Sequence, residues 1–250
     1  PVSGKVTAIV RGDRRKILSV QVTADKQQTY ADFGKKNVSS LSGEQVKAAL
    51  LESGLFAFFL QRPYAVTANP TDAPKAVFVS TFSDMPLAAD FEVALKGNEA
   101  DFQTGVDALA KIAKVYLGVK PSASSALTNA KNAEVTVFDG KCPAGNVGVQ
   151  INHLAPVNKG EVVWTLGAEE VIFIGRLFNT GKVDLTRTIA VAGSEIKAPA
   201  YTKVLVGQQI SSIVKGNVAT DKKVRLIDGN PLTGLKVDEN AFLSAHSTEI

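Results

Sequence analysis

Cys142, His153 and Asp139 are the side chains whose types could do chemistry together. A thiol beside an imidazole can make a nucleophile and its base, and thiol, imidazole and carboxylate are all zinc ligands. Neither set is complete here. Pro143 follows the cysteine directly, so no helix N-terminus starts there to lower the thiol pKa. No acidic residue is evident to orient the histidine, and a zinc site would lack both a fourth ligand and a familiar spacing. Cys142 is the one cysteine in 250 residues. It cannot form an internal disulfide, and it cannot supply the four thiolates that hold an iron–sulfur cluster. The expectation is a chain from a reducing compartment, with no catalytic residue and no metal ligand set of its own.

The loop around that cysteine is Asp139-Gly140-Lys141-Cys142-Pro143-Ala144-Gly145-Asn146-Val147-Gly148. It is Gly-rich, yet it is neither the dinucleotide fingerprint GxGxxG nor the P-loop GxxxxGK[ST]. Gly140 and Gly145 have P-loop spacing, but Asn146 stands where the lysine belongs. A tight turn that brings backbone close to a neighbouring element is the expected role.

Other candidates come from position. Residues 76–81 (AVFVST) form a continuous apolar run bounded by turn residues, as a strand buried on both faces requires. Ligands of open α/β sheets bind beyond the carboxyl ends of such strands, so Thr81, Ser83 and Asp84 are site candidates. Phe56, Phe58 and Phe59 could line an apolar cleft for a ring, although such a cluster is more often plain core. Arg176 is expected on the flank of a helix as a surface charge. Lys5 follows a Gly turn and lacks the hairpin-tip context of a cofactor-carrying lysine.

The net charge of +4 is too small to argue for nucleic acid. Its densest basic patch, Arg11, Arg14, Arg15 and Lys16, falls at an expected hairpin tip without interleaved aromatics, which excludes a base-stacking platform. No apolar run approaches the roughly 18–20 residues of a membrane span; 55–60 (LFAFFL) and 171–175 (VIFIG) are of core length. The chain starts with Pro inside a strand pattern, and it is expected to be a fragment of a longer protein.

The elements follow from periodicity. Residues 1–23 read as two strands joined by Arg11-Gly12-Asp13-Arg14. Ser42 opens a helix with Gln45 in a capping box and Gly54 as its stop, followed by a buried second helix over 55–60. A helix over 101–113 carries Phe102, Val106 and Leu109 on one face. Strands at 114–119, 134–138 and 162–166, another helix near 122–131 and one over 168–179 complete a βαβ rhythm, hence a mainly parallel, doubly wound sheet. After Asp184 the pattern turns β-rich: strands at 187–191, 202–206 and 223–227 with a short helix at 207–214 suggest a β-grasp module. The last ten residues read as connecting chain.

Several stretches, taken in order, resemble the NqrA family, one of the subunit types of the bacterial sodium-translocating NADH:quinone reductase. They are Pro1-Val2-Ser3-Gly4-Lys5-Val6, Leu51-Glu52-Ser53-Gly54-Leu55 with Arg62-Pro63, residues 69–81, Pro86-Leu87-Ala88-Ala89, Val137-Phe138-Asp139-Gly140 with Pro143-Ala144-Gly145, and Gly175-Arg176-Leu177-Phe178-Asn179-Thr180-Gly181. Where that pattern leads one to expect a His before Pro143, this chain has Cys142.

The resemblance implies an α/β (overall α+β) fold in four parts. Residues 1–30 would be part of a biotinyl/lipoyl-like barrel-sandwich. Residues 31–182 would be an α/β core similar to the flavin-binding subunit of complex I, without its Gly-rich flavin loop or its cluster cysteines. Residues 183–240 would be a β-grasp soluble-ligand-binding (SLBB) module, and 241–250 a tail. The implied role is a peripheral, cofactor-free subunit on the cytoplasmic side of the inner membrane, acting in assembly and at the quinone end. FAD, FMN, riboflavin and a 2Fe-2S centre would belong to partner subunits, and the chief partner would be the integral-membrane NqrB. Phe56, Phe58, Phe59, Ser83 and Asp84 are then the quinone-cleft candidates. The competing expectation is a small-ligand-binding or scaffold module with no redox context.

Overall fold

The first helix shows how local sequence sets the frame. Ser42 Oγ accepts from Gln45 N (3.3 Å) and Gln45 Oε1 accepts from Ser42 N (2.9 Å), a reciprocal cap that starts α1 (Gly43–Glu52). The chain leaves α1 through Gly54 at φ +79°, a left-handed conformation that a side chain would strain. In this computed structural model, residues 2–219 and 223–250 are described; Pro1, the first residue of the stretch quoted above, lies outside them.

Residues 55–60 are buried as expected, but they are not one helix. Leu55–Phe58 forms a single tight turn, and Leu60 already begins β3 (Leu60–Arg62). Packing decides this: Phe56 and Phe59 stack at 5.1 Å and both meet Trp164 edge-on. β4 (Val66–Thr67) closes a small antiparallel ribbon with β3.

The main sheet then builds in the order β4-β3-β8-β5-β6-β7. Its parallel part consists of β5 (Val77–Ser80), β6 (Val115–Val119), β7 (Glu134–Val137) and β8 (Val163–Gly167). From β5 the chain passes through α2 (Phe91–Leu95) and α3 (Glu99–Ile112) to β6, then through α4 (Ser125–Thr128) to β7. It returns through α5 (Val147–Leu154) to place β8 on the other side of β5. The β5/β8 junction is therefore the topological switch point of a doubly wound sheet. α2 and α5 have no counterpart in the sequence expectation, and α4 is one turn rather than a full helix.

Both sheet faces are covered. Val77, Val79, Leu117, Trp164 and Leu166 pack against α1, α3 and α6 (Ala168–Thr180), whereas Phe78, Tyr116 and Val163 pack against Ile151 of α5. Strict alternation along each strand supplies the two sets. α3 and α6 approach closely because Gly105 faces the Val171 carbonyl and Gly175 faces the Asp101 carbonyl, and a Cβ at either would overlap those oxygens. α6 ends at Gly181, φ +75°.

Arg176 is not a free surface charge. Its guanidinium donates to the Thr186 carbonyl (2.6 Å) and to Asn98 Oδ1 (3.0 Å), tying α6 to α3 and to β9 (Thr186–Val191). β9 pairs antiparallel with β10 (Ala200–Leu205). α7 (Ile210–Ile213) and the ribbon β11 (Leu226–Asp228)–β12 (Leu235–Val237) follow. Ile189, Val191, Val204, Ile210 and Val214 form the core of this unit with Leu243 and Ile250. The expected connecting chain at 241–250 is thus part of the structure. Ala190 N donates to the Thr248 carbonyl, and Ile250 N to the Ala190 carbonyl, so the terminal residues lie along β9 as an added strand-like segment.

At the other end, β1 (Gly4–Arg11) and β2 (Ile17–Ala24) form an antiparallel hairpin. Arg14 and Arg15 sit in its turn at positive φ. Val6, Ile9, Ile17, Leu18 and Val20 are exposed, so the alternation of the sequence has no covered face to match. No helix among the described residues is long and apolar enough to cross a membrane.

Candidate functional site

β5 and β8 end side by side, and a cleft of about 180 Å³ opens at their carboxyl ends. Thr81, Ser83, Glu170, Thr188 and His246 are among its walls. Segments distant in sequence meet there, with Phe91 and Ala94 of α2 and the first turn of α6 among its walls.

The loop after β5 is braced from the Gly-rich turn. Ser80 Oγ lies 3.0 Å from the carbonyls of Phe82 and Gly145 and accepts from Gln150 Nε2 at 3.0 Å. Asp84 Oδ2 accepts from Gly145 N at 3.1 Å. Gly145 packs within 3.1 Å of the Phe82 carbonyl and Asp84 N where a Cβ would stand, so it provides the close backbone approach expected of this turn. Ser83 lines the cleft; Asp84 faces the turn instead.

Phe56, Phe58 and Phe59 lie beneath the sheet edge, all buried. Phe56 and Phe59 belong to the stack around Trp164. Phe58 alone reaches toward the cleft, meeting the His246 ring edge-on at 5.7 Å.

The strongest electrostatics come from Glu169 and Glu170, which the sequence places in the first turn of a helix as charges suited to its dipole, and from Arg187, the partner it did not reveal. Arg187, at the start of β9, has no exposed side-chain surface. Its Nε lies 2.8 Å from Glu169 Oε2 and its Nη2 donates to Glu170 Oε1 at 2.7 Å. Nη1 donates to the carbonyls of Ala245 (2.8 Å) and Ser247 (2.9 Å). Thr188 N donates to Glu169 Oε1 at 3.1 Å. One guanidinium thus binds the N-terminus of α6, β9 and the last residues of the chain. Gly167 is required beside it, since a Cβ there would overlap the Glu170 carboxylate.

Burial pushes the Glu170 carboxyl up, but the Arg187 charge and the His246 and Arg187 hydrogen bonds outweigh it and hold it at about 2. For Glu169 burial wins over Arg187 and the Thr188 amide, and its pKa is raised. A signal was available: two adjacent carboxylates open a helix whose sides are nearly all apolar, so they had to find a buried cation.

Cys142 is exposed, and desolvation and the Asp84 carboxylate raise its thiol pKa. His153 lies in the last turn of α5. Among the described residues no hydrogen bond joins the two, and no group of three or more His, Cys, Asp or Glu side chains is arranged to hold a metal ion.

The fold and this geometry meet known proteins at one place. The family model described as "NqrA second alpha/beta domain" matches residues 41–183, and the one described as "NQRA C-terminal domain", an SLBB module, matches 188–239. The chain belongs to the NqrA family. Among NqrA relatives, the Na(+)-translocating NADH-quinone reductase subunit of this type from Yersinia pestis bv. Antiqua (strain Angola) is 34% identical over 250 residues, covering 98% of this chain and 55% of that protein. Those of Serratia proteamaculans (35% identical; 97% and 56% covered) and Hahella chejuensis (33%; 100% and 57%) are similar. The chain therefore spans just over half the length of these relatives. Among solved structures, an NAD+-reducing [NiFe]-hydrogenase in the air-oxidized state matches with a TM-score of 0.55 at 13% identity, covering 89% of this chain and 50% of that one. That likeness concerns the fold alone.

Proposed function

We propose that this chain is the peripheral, cofactor-free subunit of a sodium-translocating NADH:quinone reductase and that it acts at the quinone side. The observation that carries the reading is the cleft at the β5/β8 switch point in a chain of the NqrA family. It has apolar and polar walls, as a ring with two oxygens needs. Thr81 and Ser83 are the candidates from the sequence that line it, and Phe58 meets His246 at its wall. FAD, FMN, riboflavin and the 2Fe-2S centre sit in partner subunits in this proposal, and the membrane-embedded NqrB is the neighbour, met on the cytoplasmic side of the inner membrane. The unit after residue 183 serves assembly as an SLBB-type module, the α/β unit is of the complex I flavin-subunit type, and the β1–β2 hairpin belongs to a barrel-sandwich whose remainder covers its exposed apolar side chains.

A UV–visible spectrum of the purified chain before and after NADH is the first test, followed by equilibrium dialysis against tetramethyl-1,4-benzoquinone. No absorption beyond that of aromatic residues, no NADH oxidation and saturable quinone binding are expected. A flavin spectrum that bleaches with NADH would overturn the cofactor-free role. Uptake no greater than that of an unrelated protein would overturn the quinone role.

A further inference from the structure

We infer that His246 is the side chain that hydrogen-bonds a ring oxygen of the molecule in the switch-point cleft. The inference rests on the quinone-side reading above and assigns that site a residue from outside the α/β unit.

Three observations converge on His246. First, its backbone is held on both sides: the carbonyls of Ala245 and Ser247 both accept from the buried Arg187. Leu243 and Ile250 anchor the same segment in the core. The histidine is thus fixed in place although 45% of its side chain is exposed. Second, its ring has a set orientation. Nδ1 lies 3.5 Å from Glu170 Oε1, and the ring stands at 89° to Phe58. Third, it lines the cleft, and with Nδ1 turned to Glu170 the nitrogen left for an occupant is Nε2. Among the described residues Nε2 has no hydrogen-bond partner.

The chemistry suits a single ring that carries para oxygens. An imidazolium donates Nε2–H to a carbonyl oxygen. A neutral imidazole that keeps its proton on Nδ1, against Glu170, offers the Nε2 lone pair to a hydroxyl. The same residue can therefore hold the oxidised and the reduced ring without moving. Size agrees: the cleft of about 180 Å³ compares with a cavity of about 150 Å³ that accepts benzene. Phe82 and Phe91 line it as flat apolar surfaces. Glu170 and Arg187 act as positioning residues, one setting the ring and the other its backbone.

The test uses the full chain and tetramethyl-1,4-benzoquinone, whose four ring positions are blocked against addition of the Cys142 thiol. The chain has two histidines, so a histidine-labelled sample gives two imidazole Cε1–H resonances, assigned with His153→Gln. On titration the His246 resonance should move with occupancy while that of His153 stays. His246→Ala should raise Kd by up to about tenfold, the loss of one hydrogen bond in the cleft. His246→Gln, which keeps an amide near the place of Nε2, should recover part of it. Saturable binding with an unmoved His246 resonance and an unchanged Kd for His246→Ala would overturn the assignment and leave the quinone reading standing. Absence of saturable binding to the unaltered chain would overturn both. If His246→Ala does not fold, the titration of the unaltered chain decides alone.

Discussion

Glu170 Oε1 lies 2.7 Å from Arg187 Nη2, and both side chains are shut off from solvent. Seventeen residues apart, Glu170 lies in the matched α/β domain and Arg187 just before the matched C-terminal one, and since Arg187 also holds the carbonyls of Ala245 and Ser247, the pair joins the α/β sheet to the segment that carries His246. Removing one partner leaves an uncompensated buried charge. Arg187→Met should destabilise the chain by about 3–5 kcal/mol. At roughly 2–4 °C per kcal/mol for a chain of this size, thermal denaturation should show a loss near 10 °C. Arg187→Met with Glu169→Gln and Glu170→Leu should recover part of it. A loss below about 1 °C for Arg187→Met would show that the pair holds nothing.

Acid should act through the same group. Glu170 titrates at about 2 when folded, against 4.5 for an unperturbed carboxyl. Between those values the unfolded chain binds the extra proton, so stability rises with pH there. The contribution is complete above about pH 4.5 and is lost toward pH 2, on the order of 3 kcal/mol. Glu169, with its raised pKa, has the opposite sign: its contribution is present below the unperturbed value and is lost as pH rises through the folded one. Urea midpoints should climb from pH 3 to about pH 4.5 for the unaltered chain, with no further rise from this pair above that, and Glu170→Gln should flatten the acid limb.

Close contact of α3 and α6 depends on two absent side chains. Gly105→Ala and Gly175→Ala each drive a Cβ into a backbone oxygen of the facing helix. Backbone cannot step aside as a side-chain tip can, so each should cost at least about 1–3 kcal/mol. Differential scanning calorimetry would measure it, with Gly160→Ala, in an exposed turn, as the reference for a loss that is local and unrelated to packing.

The cap of α1 is a smaller, independent contribution. Ser42→Ala removes the acceptor for Gln45 N and should cost about 1 kcal/mol. Ser42→Asp should keep most of it. Denaturant midpoints give both numbers.

Cys142 should be slow to alkylate. Its thiol pKa is raised by desolvation and by Asp84, so less thiolate is present at neutral pH than for an unhindered cysteine. Asp84→Asn removes the charge and should speed reaction with iodoacetamide at pH 7.5. An unchanged rate would remove Asp84 from the account.

What the sequence determined is local. The capping pair Ser42/Gln45, the Gly54 stop, the doubly apolar strand at 76–81 and the amphipathic stripe of α3 are all written in neighbours a few residues apart, and each formed where the local pattern put it. The place of Thr81 and Ser83 just beyond a strand end was also legible, since a strand end is a local event. The tertiary structure decided what lies across from them. Residues 55–60 became a turn and a strand because Phe56 and Phe59 had Trp164 to pack on, more than a hundred residues away. Arg176 left the surface because β9 offered it a carbonyl. Arg187, Glu169, Glu170 and His246 form one cluster only because the chain folds its last residues back along β9. Charges in sequence have no partners until burial makes a partner necessary, and which partner is near depends on topology, a property no short window of sequence contains.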